Sequence, residues 1–286
     1  MMINCISCSV CGGNDHFTKW SVLLECQDCG FVFYDKADPD ELAKLYDTDY
    51  FHGGEYIDYL SQELALRRSM RRHLEQMASH NALGEQLLEI GSAYGFFLDE
   101  AKALIRDPLG IDVASEPVRN AVDRLGVKAV CGDFLIHDFG NATFDNVCMW
   151  DTIEHLTRPD KYVQRAADLL KSSGYLFITT GDLTALNARI RGRNWRQIHP
   201  PTHVSYFSRN TMTRMLENNG FEVISIETAS YYHTFKNIIG TIAMRKGAAG
   251  TLAGPLNRLV GNSIIGRWGF WLNLGDTMFV AARLKN

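Results

Sequence analysis

The chain has 286 residues, of which 46% are hydrophobic, so it can bury one full-sized α/β core and still carry a small accessory module. Its formal net charge of −4 argues against general electrostatic binding of nucleic acid, which requires a basic surface, but leaves room for a local basic patch. No apolar run approaches the roughly 18 residues of a membrane span, and residues 1–11 lack the pattern of a secretory signal, so we expect a cytoplasmic protein.

Two C-x-x-C pairs separated by fourteen residues stand near the start of the chain: Cys8 and Cys11, then Cys26 and Cys29. This spacing is typical of two knuckles that place four thiolates around Zn²⁺. Residues 1–36 are therefore predicted to form a zinc ribbon, in which the metal is structural because four thiolates leave no open coordination position. Cys5 has the same spacing from Cys8 and could replace a ligand. With Lys19 and Lys36 as its only lysines or arginines, the ribbon suits docking against substrate or the main domain better than binding of RNA.

Residues 37–82 are predicted to be a helical connector that covers the cofactor. A first helix would begin at Pro39-Asp40-Glu41, and a second over about 60–78, where apolar residues recur at helical spacing. Four arginines fall on another face of this second helix: Arg67, Arg68, Arg71 and Arg72. That face is either solvated or directed at an anionic substrate.

From residue 86 onward, short apolar runs alternate with helical stretches, which predicts βαβ units and a mostly parallel sheet within a domain spanning 83–286. The predicted strands are Gln86–Ile90, Leu109–Ile111, Val127–Val130, Asn146–Trp150, Tyr175–Thr179, Glu222–Ile226 and Met278–Ala282.

The first of these strands runs into an E-x-G-x-x-x-G turn formed by Glu89, Gly91 and Gly95. Glycine lets the backbone pass close to a ligand, and the helix that follows offers free N–H groups, so the turn is typical of a nucleotide cradle. Its spacing differs from the G-x-G-x-x-G of dinucleotide-binding dehydrogenases, which argues against that enzyme class.

Acidic residues follow the next strands, at the edge where open α/β sheets bind ligands. Asp112 could accept hydrogen bonds from ribose hydroxyls, and Asp133 with Phe134 could offer an acid and an aromatic face to adenine. In isolation, Asp112 could equally be a helix cap and Asp133 a turn residue. The fourth strand leads into a Trp-Asp-Thr-Ile-Glu-His-Leu segment at 150–156.

In order and spacing, these motifs resemble the class I S-adenosylmethionine-dependent methyltransferases over about residues 87–180. The resemblance implies a Rossmann-like sheet of seven strands with the last one antiparallel. It also implies a glycine turn beneath the methionine part of the cofactor, Asp112 on the ribose, Asp133 and Phe134 around adenine, and Trp150 with Asp151 beside the methyl group. The candidate cofactor-binding residues are thus Glu89, Gly91, Ala93, Gly95, Phe96, Asp112, Asp133, Phe134, Trp150 and Asp151. Together with a zinc ribbon, the layout resembles small-molecule methyltransferases of sugar, polysaccharide or natural-product pathways.

Methyl transfer needs a positioned acceptor and, where the acceptor carries a proton, one base. His203 lies in a Pro-Pro-x-His-x-x-x-Phe pattern that resembles a segment beside the acceptor pocket of such enzymes, and it is the favoured base or substrate ligand. His155 is the second candidate. Alternatively, His203 only fixes its loop by a backbone hydrogen bond, and His155 only caps a helix.

Two further segments bear on the acceptor. The arginines at 189, 191, 193 and 196 suggest an anionic acceptor such as a nucleotide-linked sugar, unless they are simply solvated. Residues 228–276, rich in glycine and aromatics, are predicted to form a helical lid or a homodimer contact; a membrane-surface contact is the alternative.

The sequence as a whole predicts a methyltransferase that moves a methyl group from S-adenosylmethionine to oxygen, nitrogen or carbon of a small molecule. Two other classes stay open: an enzyme acting on RNA or protein, and a non-catalytic cofactor-binding scaffold. The acidic balance speaks against RNA, and the intact cofactor motif speaks against a scaffold.

Overall fold

A computed structural model of the chain describes residues 6–36, 59–243 and 263–285. Cys5 and the predicted helix entry at residues 39–41 lie outside the described residues. The strands are β1 His16–Lys19, β2 Leu23–Cys26, β3 Val32–Phe33, β4 Gln86–Ile90, β5 Asp107–Asp112, β6 Lys128–Cys131, β7 Phe144–Trp150, β8 Leu170–Gly181, β9 Ser205–Tyr206, β10 Phe221–Thr228, β11 Tyr231–Thr234, β12 Gly269–Leu272 and β13 Thr277–Leu284. The helices are α1 Glu63–Ser79, α2 Phe96–Ala101, α3 Ser115–Asn120, α4 Pro159–Leu169, α5 Leu186–Arg191, α6 Arg209–Asn218, α7 Phe235–Ala243 and α8 Ile264–Arg267.

The main sheet has seven strands in the order β10-β13-β8-β7-β4-β5-β6. Strand β13 is antiparallel to both of its neighbours, while β8, β7, β4, β5 and β6 pair in parallel. The predicted Rossmann-like sheet with an antiparallel last strand is confirmed, and each predicted strand is present. Strand β8 is longer than predicted because its pairing with β13 reaches Gly181 and its pairing with β7 begins at Leu170.

The central strands are apolar without a break because helices cover both faces of the sheet. On β4, the side chain of Leu87 packs in one cluster with Met70, Leu74 and Met77 from α1. The next side chain, Leu88, belongs to the cluster on the opposite face. Successive side chains of a strand point to opposite faces of the sheet. Because both faces are buried here, the strands do not alternate between apolar and polar residues as a half-exposed strand would.

The ribbon and the main domain share a second sheet, of four strands in the order β1-β2-β3-β9. The first three strands come from the ribbon, whereas β9 comes from the chain between α5 and α6. Phe31 of the ribbon also packs on Phe207, with ring centroids 5.1 Å apart. The ribbon is therefore joined to the main domain by backbone pairing as well as by side-chain packing.

Helix α1 begins close to the predicted position, but its arginines do not form a simply solvated face. The Arg67 guanidinium lies 2.7 Å from Glu63, 2.6 Å from Asp99 and 3.0 Å from Glu100, so it ties α1 to α2. Arg68 lies over the ring of Tyr232, 4.3 Å from its centroid.

The segment predicted as a lid contains a two-stranded antiparallel unit of β11 and β12, with α7 and α8 between them. Residues 244–262 of this segment lie outside the described part of the chain. Its exposed aromatic side chains include Trp268 and Trp271. Across the residues that the structure describes, no helix combines the length and apolar character needed to cross a membrane.

Candidate active site

A cavity of about 920 Å³ lies at the carboxyl ends of the parallel strands. Helix α1 and the β11–β12 unit line its other side. The predicted site residues that line this cavity are Gly91, Ala93, Asp112, Asp133, Phe134, Trp150, Asp151, His155 and His203. Seven of the ten candidate cofactor residues and both candidate bases therefore meet in one space.

The glycine turn has a left-handed backbone, which glycine adopts without steric cost. The backbone has positive φ at Gly91 (79°), Ala93 (42°) and Gly95 (72°). A Cβ on Gly91 would come within 2.5 Å of Thr152 Oγ1, so a side chain there would displace the segment after β7. The left-handed turn thereby keeps the end of β4 open toward the cavity.

Three predicted cofactor residues lie behind the turn and do not line the cavity. Glu89 is only 3% exposed, its Oε2 has no hydrogen-bond partner within the described ranges, and burial raises its pKa well above the ordinary value. A Cβ on Gly95 would lie 2.8 Å from Ala121 Cβ, so this glycine allows close helix packing. Phe96 stacks on Tyr59, with centroids 5.8 Å apart.

Asp112, at the end of β5, is fixed by the backbone. Its Oδ2 accepts a hydrogen bond from Ala93 N at 2.8 Å, and its Oδ1 accepts one from Ala114 N at 2.9 Å. Burial raises its pKa, whereas these hydrogen bonds lower it, and the rise prevails. Since an ionised carboxylate has about four acceptor sites, two donors leave capacity for ribose hydroxyls.

Asp133 and Phe134 follow β6 at the next position along the edge. Asp133 is exposed and accepts a hydrogen bond from Leu135 N at 2.8 Å, as the turn interpretation expects. The Phe134 ring is only 2% exposed and packs against Tyr162, with centroids 5.5 Å apart. Tyr162 also lines the cavity, and burial raises its pKa to about 12. Nothing in the pattern of α4 marked this tyrosine as a site residue.

Trp150 is the last residue of β7, and Asp151 follows it. The Trp150 ring stacks on buried His73, with centroids 4.6 Å apart. The Tyr231 hydroxyl lies 2.8 Å from Asp151 Oδ1 and 2.9 Å from Oδ2, and Thr179 Oγ1 donates to Oδ1 at 3.0 Å. Tyr231, which sequence reasoning missed, thus joins β11 to the end of β7.

The two candidate bases lie side by side. His155 Nδ1 is 2.8 Å from the carbonyl oxygen of Thr202, and His203 Nδ1 is 3.0 Å from that of Gln197. A carbonyl only accepts, so each Nδ1 carries the proton, and the Nε2 of neutral His203 keeps a lone pair. The two rings are 4.6 Å apart. The backbone-bonding interpretation of His203 therefore describes one of its nitrogens, and the other carries the lone pair that a base needs.

The surroundings keep these imidazoles neutral. Burial lowers the pKa of His155 to about 4. The pKa of His203 is well below its ordinary value, first because of burial and then because of the nearby rings of His155 and His199.

Glu154 completes this cluster, although it was not among the residues predicted for the site. One ligand-capable atom from each of Glu154, His155 and His203 lies within 4.8 Å of the others. Thr180 Oγ1 donates to Glu154 Oε2 at 2.8 Å. Burial, followed by the neighbouring Asp151, raises the pKa of Glu154 to about 8, so the group holds its proton near neutral pH.

Of the four clustered arginines, Arg196 alone lines the cavity. Its Nη2 lies 2.9 Å from Oδ1 of buried Asp276. Burial acts to raise the pKa of Asp276, but hydrogen bonds from Arg196 and Trp195 lower it below its ordinary value. Arg191 is instead bonded to Asn187, on the exposed surface.

The four ribbon cysteines converge, each with Sγ within 4.8 Å of the others. The Cys8 and Cys29 sulfurs are 3.6 Å apart, and those of Cys11 and Cys26 are 3.5 Å apart. Both distances far exceed a disulfide bond of about 2.05 Å. They are close to the roughly 3.8 Å edge of a tetrahedron with 2.3 Å zinc–sulfur bonds. The arrangement therefore suits a tetrahedral metal ion.

Comparisons with known proteins agree with this geometry. The model of the methyltransferase domain family matches residues 62–226, and the chain belongs to this family. The human mitochondrial ubiquinone biosynthesis O-methyltransferase is 26% identical over 176 residues, which cover 54% of this chain and 48% of that protein. The ubiquinone biosynthesis O-methyltransferase of Albidiferax ferrireducens is 29% identical over 162 residues, covering 50% of this chain and 59% of that protein. The chain thus spans about half of the length of these curated relatives.

Solved structures share the fold. Magnesium protoporphyrin IX methyltransferase from Synechocystis PCC 6803 with bound SAH has a TM-score of 0.56 at 10% identity, covering 87% of this chain and all (100%) of that one. The YcgJ protein from Bacillus subtilis has a TM-score of 0.50 at 16% identity, covering 77% and 99% of the two chains. The predicted class I S-adenosylmethionine-dependent methyltransferase is confirmed at the level of family and fold.

Proposed function

We propose that this chain transfers the methyl group of S-adenosylmethionine to a hydroxyl oxygen of a small molecule. One observation carries the proposal: the cofactor cradle at Asp112 and the neutral histidine pair open into the same cavity of about 920 Å³. Two ligands that share one cavity can be aligned for an in-line displacement.

In this proposal, Asp112 binds the ribose hydroxyls, and the turn at Gly91–Ala93 lies beneath the methionine part. Adenine lies between Asp133 and the aromatic pair of Phe134 and Tyr162. Bound S-adenosylmethionine supplies a sulfonium methyl group that is already reactive. The protein's task is therefore to orient the acceptor and to take its proton.

His203 is the proposed base, with His155 as its neighbour and second candidate. Its bond to the Gln197 carbonyl fixes the tautomer, so the Nε2 lone pair is available to an acceptor hydroxyl. A depressed pKa keeps that lone pair free at neutral pH. Glu154, protonated through its raised pKa, adds no negative charge beside the base.

Two considerations support a small hydroxylated acceptor. The curated relatives are O-methyltransferases by name, and a histidine base suits a hydroxyl that must lose its proton. An anionic group on the acceptor would meet Arg196, whose side chain is 49% exposed beside the cavity even though Asp276 pairs with it.

The ribbon is proposed to hold one structural Zn²⁺ through Cys8, Cys11, Cys26 and Cys29. The fit rests on four convergent sulfurs, which are the donors that zinc prefers. We expect about one zinc per chain in the purified protein, and loss of ribbon structure when a strong chelator removes it. Wild-type protein without zinc, and indifferent to the chelator, would contradict this assignment.

The proposed activity is tested by incubating the protein with S-adenosylmethionine and a panel of hydroxylated aromatic compounds and nucleotide-linked sugars. Mass spectrometry should find an acceptor that gains one methyl group and an equal amount of S-adenosylhomocysteine. Tight cofactor binding without turnover on any acceptor would instead favour a non-catalytic scaffold.

A further inference from the structure

Strand β9 links the ribbon to the acceptor half of the cavity. In the shared sheet, Val32 pairs with Tyr206 and Phe33 pairs with Ser205. Tyr34 N also donates to Val204 O at 2.8 Å. The segment directly after His203 is thus bound to the ribbon along its whole length.

The other side of this segment is bound to the turn after β7. Val204 N donates to Glu154 O at 2.8 Å, and Ser205 Oγ donates to Leu156 O at 2.8 Å. Those two acceptors flank His155. A continuous set of hydrogen bonds therefore runs from the ribbon through β9 to the turn that carries the second histidine.

Tyr206 makes the connection specific. Its side chain is 3% exposed and packs with Leu23 and Val32 of the ribbon in one apolar cluster. From there its hydroxyl donates a 2.6 Å hydrogen bond to the carbonyl oxygen of His203. The ring is held by the ribbon, and the hydroxyl holds the backbone of the proposed base.

We propose that the ribbon supports the acceptor site from behind and that Tyr206 is the positioning residue through which it holds His203. The inference rests on the proposed function, in which His203 is the base. It gives the ribbon a role in the reaction beyond stability, without contact between the ribbon and the reacting atoms.

The position of His203 matters because a base must reach its proton within a few tenths of an ångström. Four ionisable side chains surround this imidazole: Glu154, His155, Arg196 and His199. Burial among them holds the His203 pKa down. If the backbone at His203 loosens, solvent enters and the pKa returns toward its ordinary value, so a shift upward reports lost positioning.

The experiment uses full-length protein labelled with ¹⁵N-histidine, titrated in the presence of S-adenosylhomocysteine, with His203→Gln to assign the resonances. Tyr206→Phe keeps the ring in the ribbon cluster and removes the hydroxyl. We expect the His203 midpoint to rise by roughly half a pH unit or more, and the tautomer protonated at Nε2 to become populated. The matched control is Tyr34→Phe, which removes a hydroxyl beside the same cluster and should leave His203 unchanged.

Zinc content and cofactor affinity should stay at the wild-type level in Tyr206→Phe and Tyr34→Phe, since neither residue touches Asp112 or the cysteines.

A further variant, Tyr34→Pro, removes the amide that donates to Val204 O and should also raise the titration midpoint of His203. Wild-type His203 resonances in Tyr206→Phe and Tyr34→Pro would overturn the inference. Failure to bind cofactor or to turn over any acceptor would count against the proposed function instead, whatever His203 does.

Discussion

The two halves of the cavity are held by different kinds of contact. In the cofactor half, Gly91 directly follows β4 and Asp112 is the last residue of β5, where the amides of Ala93 and Ala114 hold its carboxylate. In the acceptor half, bonds join segments far apart in the chain, such as His155 to Thr202 and Asp151 to Tyr231. Strand ends and backbone amides therefore position Asp112 in the cofactor half, whereas the acceptor half depends on the ribbon and on the β11–β12 unit. This difference predicts that mutations will separate cofactor binding from turnover.

The largest separation is expected for His203→Ala. Loss of a general base lowers turnover by about 10²–10⁴-fold, while affinity for S-adenosylmethionine stays within about twofold of wild type. Turnover is measured as S-adenosylhomocysteine released, and affinity by calorimetry. His137→Gln, at a position that does not line the cavity, is the control. If His203→Ala loses cofactor affinity and turnover to the same extent, the two halves of the cavity do not function separately.

Asp112→Ala should show the opposite pattern and weaken cofactor binding by roughly 10- to 100-fold, because two ribose hydrogen bonds to a charged group are lost. Calorimetric titration measures the effect. Asp107→Asn, at the opposite end of the same strand and paired with exposed Lys128, should bind normally. Unchanged cofactor affinity in Asp112→Ala would contradict the proposal that Asp112 binds the ribose hydroxyls.

Arg196→Gln tests whether the acceptor carries negative charge. If it does, the KM for the acceptor should rise about 5- to 10-fold with little change in cofactor affinity. Arg193→Gln is the matched control, since Arg193 lies in the same cluster but does not line the cavity. If both variants have the same KM for the acceptor, Arg196 does not bind the acceptor and its role is limited to the ion pair with Asp276.

The smallest expected effect concerns pH. A histidine acts as a base only above its pKa, and burial holds the pKa of His203 well below 6.5 and that of His155 at about 4. Between pH 7.5 and 5.5, kcat/KM should therefore fall less than about twofold. A base with an ordinary pKa of 6.5 would lose about tenfold over the same range, and such a loss would show that the acceptor half is not shielded from solvent.

The contrast between local and long-range contacts also explains which parts of the site could be predicted from the sequence. The strands, the glycine turn and Asp112 could be predicted because each is a local pattern at the end of an apolar run. Tyr231 could not, since its partner Asp151 lies 80 residues away in the chain. The packing role of Gly95 was also hidden, because it depends on Ala121 in another segment. The pairing of β9 with the ribbon could not be predicted either, because a strand of two residues is too short to show an apolar pattern in the sequence.

In the proposed function one cavity serves both cofactor and acceptor, and a crystal structure with bound S-adenosylhomocysteine is the decisive measurement. We predict the ribose hydroxyls within hydrogen-bonding distance of Asp112, and the sulfur directed toward the space in front of His155 and His203. A ligand bound elsewhere, or a sulfur facing away from both histidines, would contradict it.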